Sequence, residues 1–534
     1  MTDFSSSSVG VADYVTTGAG ALRVYRAGTG PQLVVLPGLV MSAAVAADLV
    51  HAACQGWRVT VIELPGIGGS SGIAPHSPAQ LAGILDEALT LLGIARGALL
   101  AHDLSAPIAL ALAARRPGLG TPLLLDRDKA AQWRVHHSGP SSLALRHDGG
   151  HLLALWSHFR DRAMLDPADP ARVGKTGASL PDDHALDAAV VAAAVRPDAY
   201  AALWACCAAG FAAVDGDRAA IDVRDMHELK DRLALLAGSL PPASHAAPPA
   251  ADGNAMRYGY VQTPSGRVHL RRTGRGGRTL LMFHSAPGSA APLEPLMRGL
   301  AAGREVIACD YLGNGDSGKA QGDIDIAVLA RHALEVIDAL GLDIVDLFGT
   351  HTGAMVAMEL AIQRPERIGR MVLEAPVLID ADFAADILQH YLPPITPDRW
   401  GTHLLKAWNM RRDMFLFWPW YRQRRDAARS LGLPPLQTLH DWTVGLLKSG
   451  TTYHLSYRSA FVYDTRARLA LLPRPAMICA GPADMLVEGL ALARRLAPEG
   501  TVVTPMPATV WYPGQSDEAV GRTIAAYDAF LRQA

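Results

Sequence analysis

Neither sign of charge prevails in this 534-residue chain, where 49 Lys and Arg stand against 51 Asp and Glu for a formal net charge of -2. The basic surplus that draws a protein to a phosphate backbone is missing, which excludes nucleic acid as a partner. Cysteine is scarce: Cys54, Cys206, Cys207, Cys309 and Cys479 are odd in number and show no CxxC spacing. Neither a disulfide framework nor a zinc knuckle is expected, and each cysteine reads as a small buried hydrophobe. Long apolar runs are lacking as well. The most apolar stretch, from Ala188 through Val191 and Ala194 to Ala209, is interrupted by Arg196, Pro197 and Asp198, short of the roughly 18 to 20 uncharged residues of a membrane span. The opening MTDFSSSSVG has no basic start and no apolar segment, so no secretory signal is read and a cytoplasmic protein is the expectation. A GxxxxGK[ST] phosphate loop is also missing. Gly313-Asn-Gly-Asp-Ser-Gly and Gly66-Ile-Gly-Gly-Ser-Ser-Gly are Gly-rich turns, but Asp316 would repel a phosphate.

What is present is a globular composition, 50% hydrophobic and 19% charged, in a chain long enough for two cores. Residues 240–255, LPPASHAAPPAADGNA, have almost no large apolar side chain and read as a linker between residues 1–239 and 256–534. The same landmarks recur in order on both sides. Leu33 to Leu36 answers Leu280 to Phe283, and Glu63-Leu-Pro-Gly-Ile-Gly-Gly-Ser70 answers Asp310-Tyr-Leu-Gly-Asn-Gly-Asp-Ser317, each at an offset of 247. Ala101-His-Asp103-Leu-Ser answers Gly349-Thr-His351-Thr-Gly at 248, and Gly149-Gly-His151-Leu-Leu-Ala-Leu-Trp156 answers Gly401-Thr-His403-Leu-Leu-Lys-Ala-Trp408 at 252. Loop insertions produce such a drift, so the chain reads as a tandem duplication. Residues 471–534 have no clear partner in the first half, which makes the first copy a truncated one. The two copies can pack as an internal pseudo-dimer, or the chain can form a homo-oligomer.

Val59 to Glu63 and Val306 to Asp310 are short apolar runs ending at Gly-rich turns, the pattern of strands buried on both faces. Helical periodicity from Ile324 to Leu340 and from Ala354 to Gln363 alternates with them, which implies a mostly parallel α/β sheet. At Asp346-Leu-Phe-Gly349-Thr-His351-Thr-Gly353 a strand runs into a helix through a turn with glycine two residues to either side of one polar residue. Small flanks suit a strained turn that lifts its central side chain above the sheet. With the His284/Pro287-Gly288 loop, the Asp310 turn and Gly481-Pro-Ala-Asp484 after a strand, this elbow resembles that of the α/β-hydrolase superfamily. The resemblance covers most of residues 256–534, and the first half carries it more weakly. It implies two tandem α/β-hydrolase-like domains with helical cap insertions, the second cap at about 375–470, and an aromatic-lined pocket for a small-molecule substrate.

The second copy departs from that family twice. A Ser, Asp or Cys normally stands at the elbow centre and a base histidine near the carboxyl end. Here the elbow holds His351, and no histidine follows His454. What remains is a set of imidazoles, His351, His284 and cap His403, with Asp484 to orient one ring. An imidazole exchanges a proton near neutral pH, so His351 can serve as a general base or as a covalent nucleophile. Backbone amides near Ser285 and Thr352 would stabilise an oxyanion. In the cap, Trp408 and Tyr453 would line the pocket, and Arg411 or Arg412 would clamp a substrate carboxylate. The imidazoles are far apart in sequence with no short ligand pair, so no metal is expected, and no other cofactor. In the first copy Asp103 takes the elbow centre and reads either as a nucleophilic carboxylate or as an ordinary helix cap. The resulting expectation is a hydrolase of an ester, thioester or C-C bond of a small carbonyl-bearing metabolite. The alternatives are a cofactor-independent lyase or proton-transfer enzyme, or a non-catalytic ligand-binding pseudo-hydrolase.

Overall fold

The computed structural model describes residues 11–128, 130, 139–140, 142–167, 169, 171–174, 181–211, 220–243, 255–320, 322–473 and 475–533. Two compact units divide the chain: Met1–Ala251 with Pro397–Thr402, and Asp252–Thr396 with His403–Ala534. Of the linker expected at 240–255, residues 244–254 lie outside the described residues.

The first unit holds β1 (Val11–Thr17), β2 (Gly20–Ala27), β3 (Gln32–Leu36), β4 (Arg58–Ile62), β5 (Ala98–His102), β6 (Leu123–Leu125) and β7 (Ile221–Val223), in the sheet order β1-β2-β4-β3-β5-β6-β7. The second holds β8 (Arg257–Thr263), β9 (Gly266–Thr273), β10 (Leu280–Phe283), β11 (Val306–Cys309), β12 (Val345–Thr350), β13 (Ile368–Glu374), β14 (Ala476–Ala480) and β15 (Val502–Pro505), in the order β15-β14-β13-β12-β10-β11-β9-β8. The orders coincide strand for strand: an edge hairpin, β1-β2 or β8-β9, pairs antiparallel within itself and with the next strand, β4 or β11, and the remaining neighbours pair parallel. The first copy is the shorter one: β7 takes the place that β14 has in the second sheet, and among the described residues the first unit has no counterpart of β15 or of the closing helix Asp517–Leu531.

Local chemistry explains the elements. β3, β10, β11 and β12 are buried along their whole length, as strands with helices on both faces must be. The helix Ile326–Ala339 starts where the Asp325 carboxylate accepts the Val328 amide at 2.7 Å, and it buries Ile326, Leu329, Ala330, Ala333, Val336 and Ile337 as one stripe. The apolar run beginning near Ala188 forms two helices, Asp183–Ala194 and Pro197–Phe211, bent by 97° at the break that Arg196 and Pro197 make. No single described helix is long and apolar enough to cross a membrane. All five cysteines are free and buried. Between β13 and β14 the second unit inserts its cap, including the helices Ala381–His390, Thr402–Leu416, Leu436–Lys448 and Tyr453–Val462.

The Gly-rich turns are structural staples. Asp310 follows β11, and its buried carboxylate accepts the Ala290 and Asp316 amides at 2.7 and 3.0 Å and meets Arg271 at 3.1 Å and His269 at 3.0 Å. Burial alone would push this carboxyl up, but Arg271 and His269 outweigh it and hold the group well below the usual range. A Cβ at Gly315 would lie 2.3 Å from that carboxylate, so only glycine lets the turn close over it. Glu63 does the same work in the first unit, with Arg23 at 2.6 Å and Gly68 pressed against it. His269, Asp310 and Asp316 cluster closely enough to suggest a cation, but the Arg271 guanidinium already supplies the positive charge there.

Candidate active site

Residues from the carboxyl ends of β10, β12 and β14 meet above the second sheet, where open α/β sheets bind ligands. At the end of β12 the backbone of His351 takes φ 50° and ψ -117°, a conformation unusual for a side-chain-bearing residue. The packing shows what imposes it. A Cβ on Gly349 would lie 2.1 Å from the Gly353 carbonyl, and a Cβ on Gly353 would lie 2.2 Å from the Phe283 carbonyl. Glycine at both flanks lets the strand, the turn and the elbow helix Thr352–Gln363 pass within contact of β10. The His351 amide donates to the Glu374 carbonyl at 2.9 Å, which ties the bend to β13.

Both ring nitrogens of His351 have partners. Nε2 lies 2.9 and 3.1 Å from the two carboxylate oxygens of Asp484, which sits after β14 and is 3% exposed. With a neutral ring beside an ionised carboxylate, which only accepts, Nε2 is the donor of this contact and Nδ1 the nitrogen left with a lone pair. Nδ1 lies 3.4 Å from the Ser285 hydroxyl. Asp484 is itself fixed, since its Oδ1 accepts the Leu486 amide at 2.9 Å.

Trp511 stands in the tail where the family's base histidine is expected. Its ring meets His351 edge-on at 5.3 Å, and its Nε1 donates to the Glu374 carboxylate at 2.6 Å. Tyr527 donates to the other Glu374 oxygen at 2.8 Å. Glu374 is fully buried, and burial raises its carboxyl above the ordinary value, with the nearby Asp484 charge adding to the rise and the Trp511 and Tyr527 hydrogen bonds opposing it.

A cavity of about 760 Å3, its open mouth included, is lined by His351, His284, Ser285, Tyr391, Arg411, Phe415, Arg429, Trp442, Tyr457, Trp511 and Tyr512, among others. Its size suits a small molecule. Arg411 is 7% exposed and reaches from the cap helix Thr402–Leu416. It donates to the Pro287 carbonyl, holds the Met414 sulfur at 3.6 Å and lies 5.9 Å from the Trp442 ring centre. Its Nε is buried without a hydrogen-bond partner, and among the described residues no carboxylate reaches this guanidinium. Burial lowers its pKa from the ordinary arginine value. Arg429 gives its hydrogen bonds to the Met414 and Ala483 carbonyls at 2.6 and 3.0 Å.

Of the expected site residues, the structure brings His351, Asp484, His284 and Ser285 together. His284, however, is spent on the backbone: Nδ1 donates to the Ser285 carbonyl at 2.7 Å and Nε2 accepts the Tyr311 amide at 3.5 Å. Burial lowers its pKa, and the ring that lines the cavity wall is at the same time a brace of the loop after β10. Thr352 opens the elbow helix, and its amide is one of the first-turn donors with no acceptor inside the helix. His403 and Trp408 are buried within the cap and do not line the cavity. Arg412 also lies off the cavity, its guanidinium held by the adjacent Asp413 at 3.0 Å, and Tyr453 is turned to the Pro393 carbonyl. In the first unit Asp103 has φ 59°, close to the φ 50° of His351; it is the first residue of a short 3-10 helix capped by His102, and its buried carboxylate is paired with Arg162. The sequence reading did not single out Arg429 or Glu374, neither of which stands in a motif, and it took Ser285 for its backbone amide and not for its hydroxyl.

The sequence matches the alpha/beta hydrolase fold family over residues 31–119 and 278–506. Among curated proteins, 2-hydroxymuconate semialdehyde hydrolase of Pseudomonas putida is 36% identical over 155 residues, 28% of this chain and 51% of that protein. The 2-hydroxy-6-oxo-2,4-heptadienoate hydrolase of Pseudomonas putida is 33% identical over 128 residues, 23% of this chain and 45% of the relative. The chain thus spans about half the length of the curated relatives it matches. Among solved structures, the enol-lactonase from Burkholderia xenovorans LB400 is 19% identical with a TM-score of 0.39, covering 51% of this chain and 100% of that one.

Proposed function

The chain belongs to the α/β-hydrolase fold family, and on that footing we propose that its second unit hydrolyses an ester or C-C bond beside the carbonyl of a small, carboxylate-bearing molecule. His351 is the general base and Asp484 its orienter. The observation that carries this reading is the 2.9 Å contact of Asp484 with Nε2, which leaves the basic Nδ1 toward a cavity. Asp484 also stabilises the imidazolium that forms when His351 takes a proton. The buried guanidinium of Arg411, without a carboxylate of its own, is matched to an anionic group on the substrate. The apolar remainder of the cavity suits an unsaturated or aromatic body, and the substrates named for the relatives, 2-hydroxymuconate semialdehyde and 2-hydroxy-6-oxo-2,4-heptadienoate, combine a carbonyl with such a body. The first unit, whose elbow carboxylate is engaged by Arg162, is structural.

Steady-state assays of the full chain on 2-hydroxymuconate semialdehyde and on p-nitrophenyl acetate test the proposal. His351→Ala is expected to lower kcat about 100- to 10,000-fold on whichever is turned over. An undiminished rate in that variant removes the imidazole from the chemistry. One observation favours a second reading: the elbow centre carries a proton-exchanging ring where the family resemblance implies a hydroxyl, thiol or carboxylate. Solvent deuterium appearing in an uncleaved carbonyl substrate, only when His351 is present, would move the assignment to a proton-transfer enzyme.

A further inference from the structure

We propose that Ser285 is the nucleophile, so that Ser285, His351 and Asp484 form a catalytic relay in which the elbow supplies the base and the loop after β10 supplies the attacking hydroxyl. The inference rests on the reading of His351 as the base.

Because Asp484 occupies Nε2, only Nδ1 of His351 can accept a proton, and the Ser285 hydroxyl is 3.4 Å from it. That separation is long for a settled hydrogen bond, as nucleophile-base contacts commonly are before substrate binds. The hydroxyl's other contact, to the Ala286 carbonyl at 3.4 Å, is equally long and does not hold it back. The backbone of Ser285, by contrast, is fixed. His284 Nδ1 donates to its carbonyl at 2.7 Å, Tyr311 donates to the His284 carbonyl at 2.8 Å, and Arg411 donates to the Pro287 carbonyl two residues on. Ser285 is half-buried and lines the cavity. In the usual Ser-His-Asp relay Nδ1 faces the aspartate and Nε2 the serine. Here the two nitrogens exchange partners, as follows from moving the ring onto the elbow.

The step balances within these groups. Ser285 Oγ bonds to the substrate carbonyl carbon as its proton passes to His351 Nδ1, and the carbonyl π pair moves onto oxygen. When that pair returns, the bond to the leaving group breaks with its electrons, and the leaving atom takes the proton from Nδ1. Water then attacks the Ser285 ester by the same route, giving the carboxylic acid and restoring Oγ-H.

Incubating the full chain with a fluorophosphonate, in which Oγ displaces fluoride at phosphorus, and mapping the adduct by peptide mass spectrometry tests this without knowledge of the substrate. The expected result is one adduct on Ser285, lost in Ser285→Ala and slowed at least about a thousandfold in His351→Gln. A folded wild-type chain that takes no label, or takes it on another residue, overturns the proposal. So does a Ser285→Ala variant that retains His351-dependent hydrolysis, which would leave His351 acting on water directly. Conversely, a chain labelled on Ser285 that cleaves neither probe substrate supports the relay and overturns only the substrate class assigned above.

Discussion

A carboxylate sealed from water is unfavourable, the more so with another carboxylate nearby, and buried Glu374 has Asp484 as such a neighbour. Trp511 and Tyr527 donate to Glu374 but carry no charge, so the folded chain favours the protonated acid more than the unfolded chain does. Its folded pKa is raised. Between the unfolded and folded values the native state therefore binds more protons, and stability falls as pH rises through that window. Glu374→Gln keeps the shape and removes the titration. Thermal melts are expected to show the variant gaining on the wild type as pH rises above the ordinary glutamate value of about 4.3, and a difference that stays flat with pH would show that Glu374 is not the group responsible. The acid also fixes Trp511, whose ring stands nearly perpendicular to that of His351 at 5.3 Å.

The cap helix Thr402–Leu416 brings one arginine into the cavity and turns its neighbour away. Arg411 and Arg412 are about 100° apart around the helix. Periodicity in the sequence identifies residues that share a face but does not say which face meets the sheet, and for that reason His403, Trp408 and Arg412 were expected in a pocket they do not line. The elbow was legible because its requirement is local: glycines at 349 and 353 are demanded by backbone approach within one turn. The serine was not legible, because Ser285 and His351 are 66 positions apart and His351 and Asp484 are 133, and only the folded sheet edge joins them. The buried Arg411 charge leads to a prediction in which stability and function separate. Arg411→Met removes an unmatched cation from the interior, so the melting temperature is expected to rise. The same change is expected to raise KM about 10- to 100-fold for a carboxylate-bearing substrate, with a smaller loss on a neutral ester. Equal losses on both would mean that Arg411 serves only to hold the Pro287 carbonyl.

At the scale of the whole molecule, the duplication is written in the backbone as well as in the repeated motifs. Four non-glycine described residues have positive φ, two in each unit: Asp103 and Asp126 after β5 and β6, His351 and Ala375 after β12 and β13. The strain was thus kept in both copies while the side chains at the bend diverged. In the second unit the bend presents an imidazole to a cavity. In the first it presents a carboxylate that Arg162 neutralises in the interior, with the guanidinium 4.8 Å from the Trp204 ring centre. A paired carboxylate is a poor nucleophile, but removing one member of a buried pair strands the other. Asp103→Ala is therefore expected to cost about 3 to 5 kcal/mol of stability, read as an earlier unfolding transition in calorimetry of the full chain. Hydrolysis measured below that transition is expected to keep the wild-type kcat, because the reacting groups belong to the second unit. A variant that melts normally and yet loses hydrolysis would instead give the first elbow a share in the chemistry.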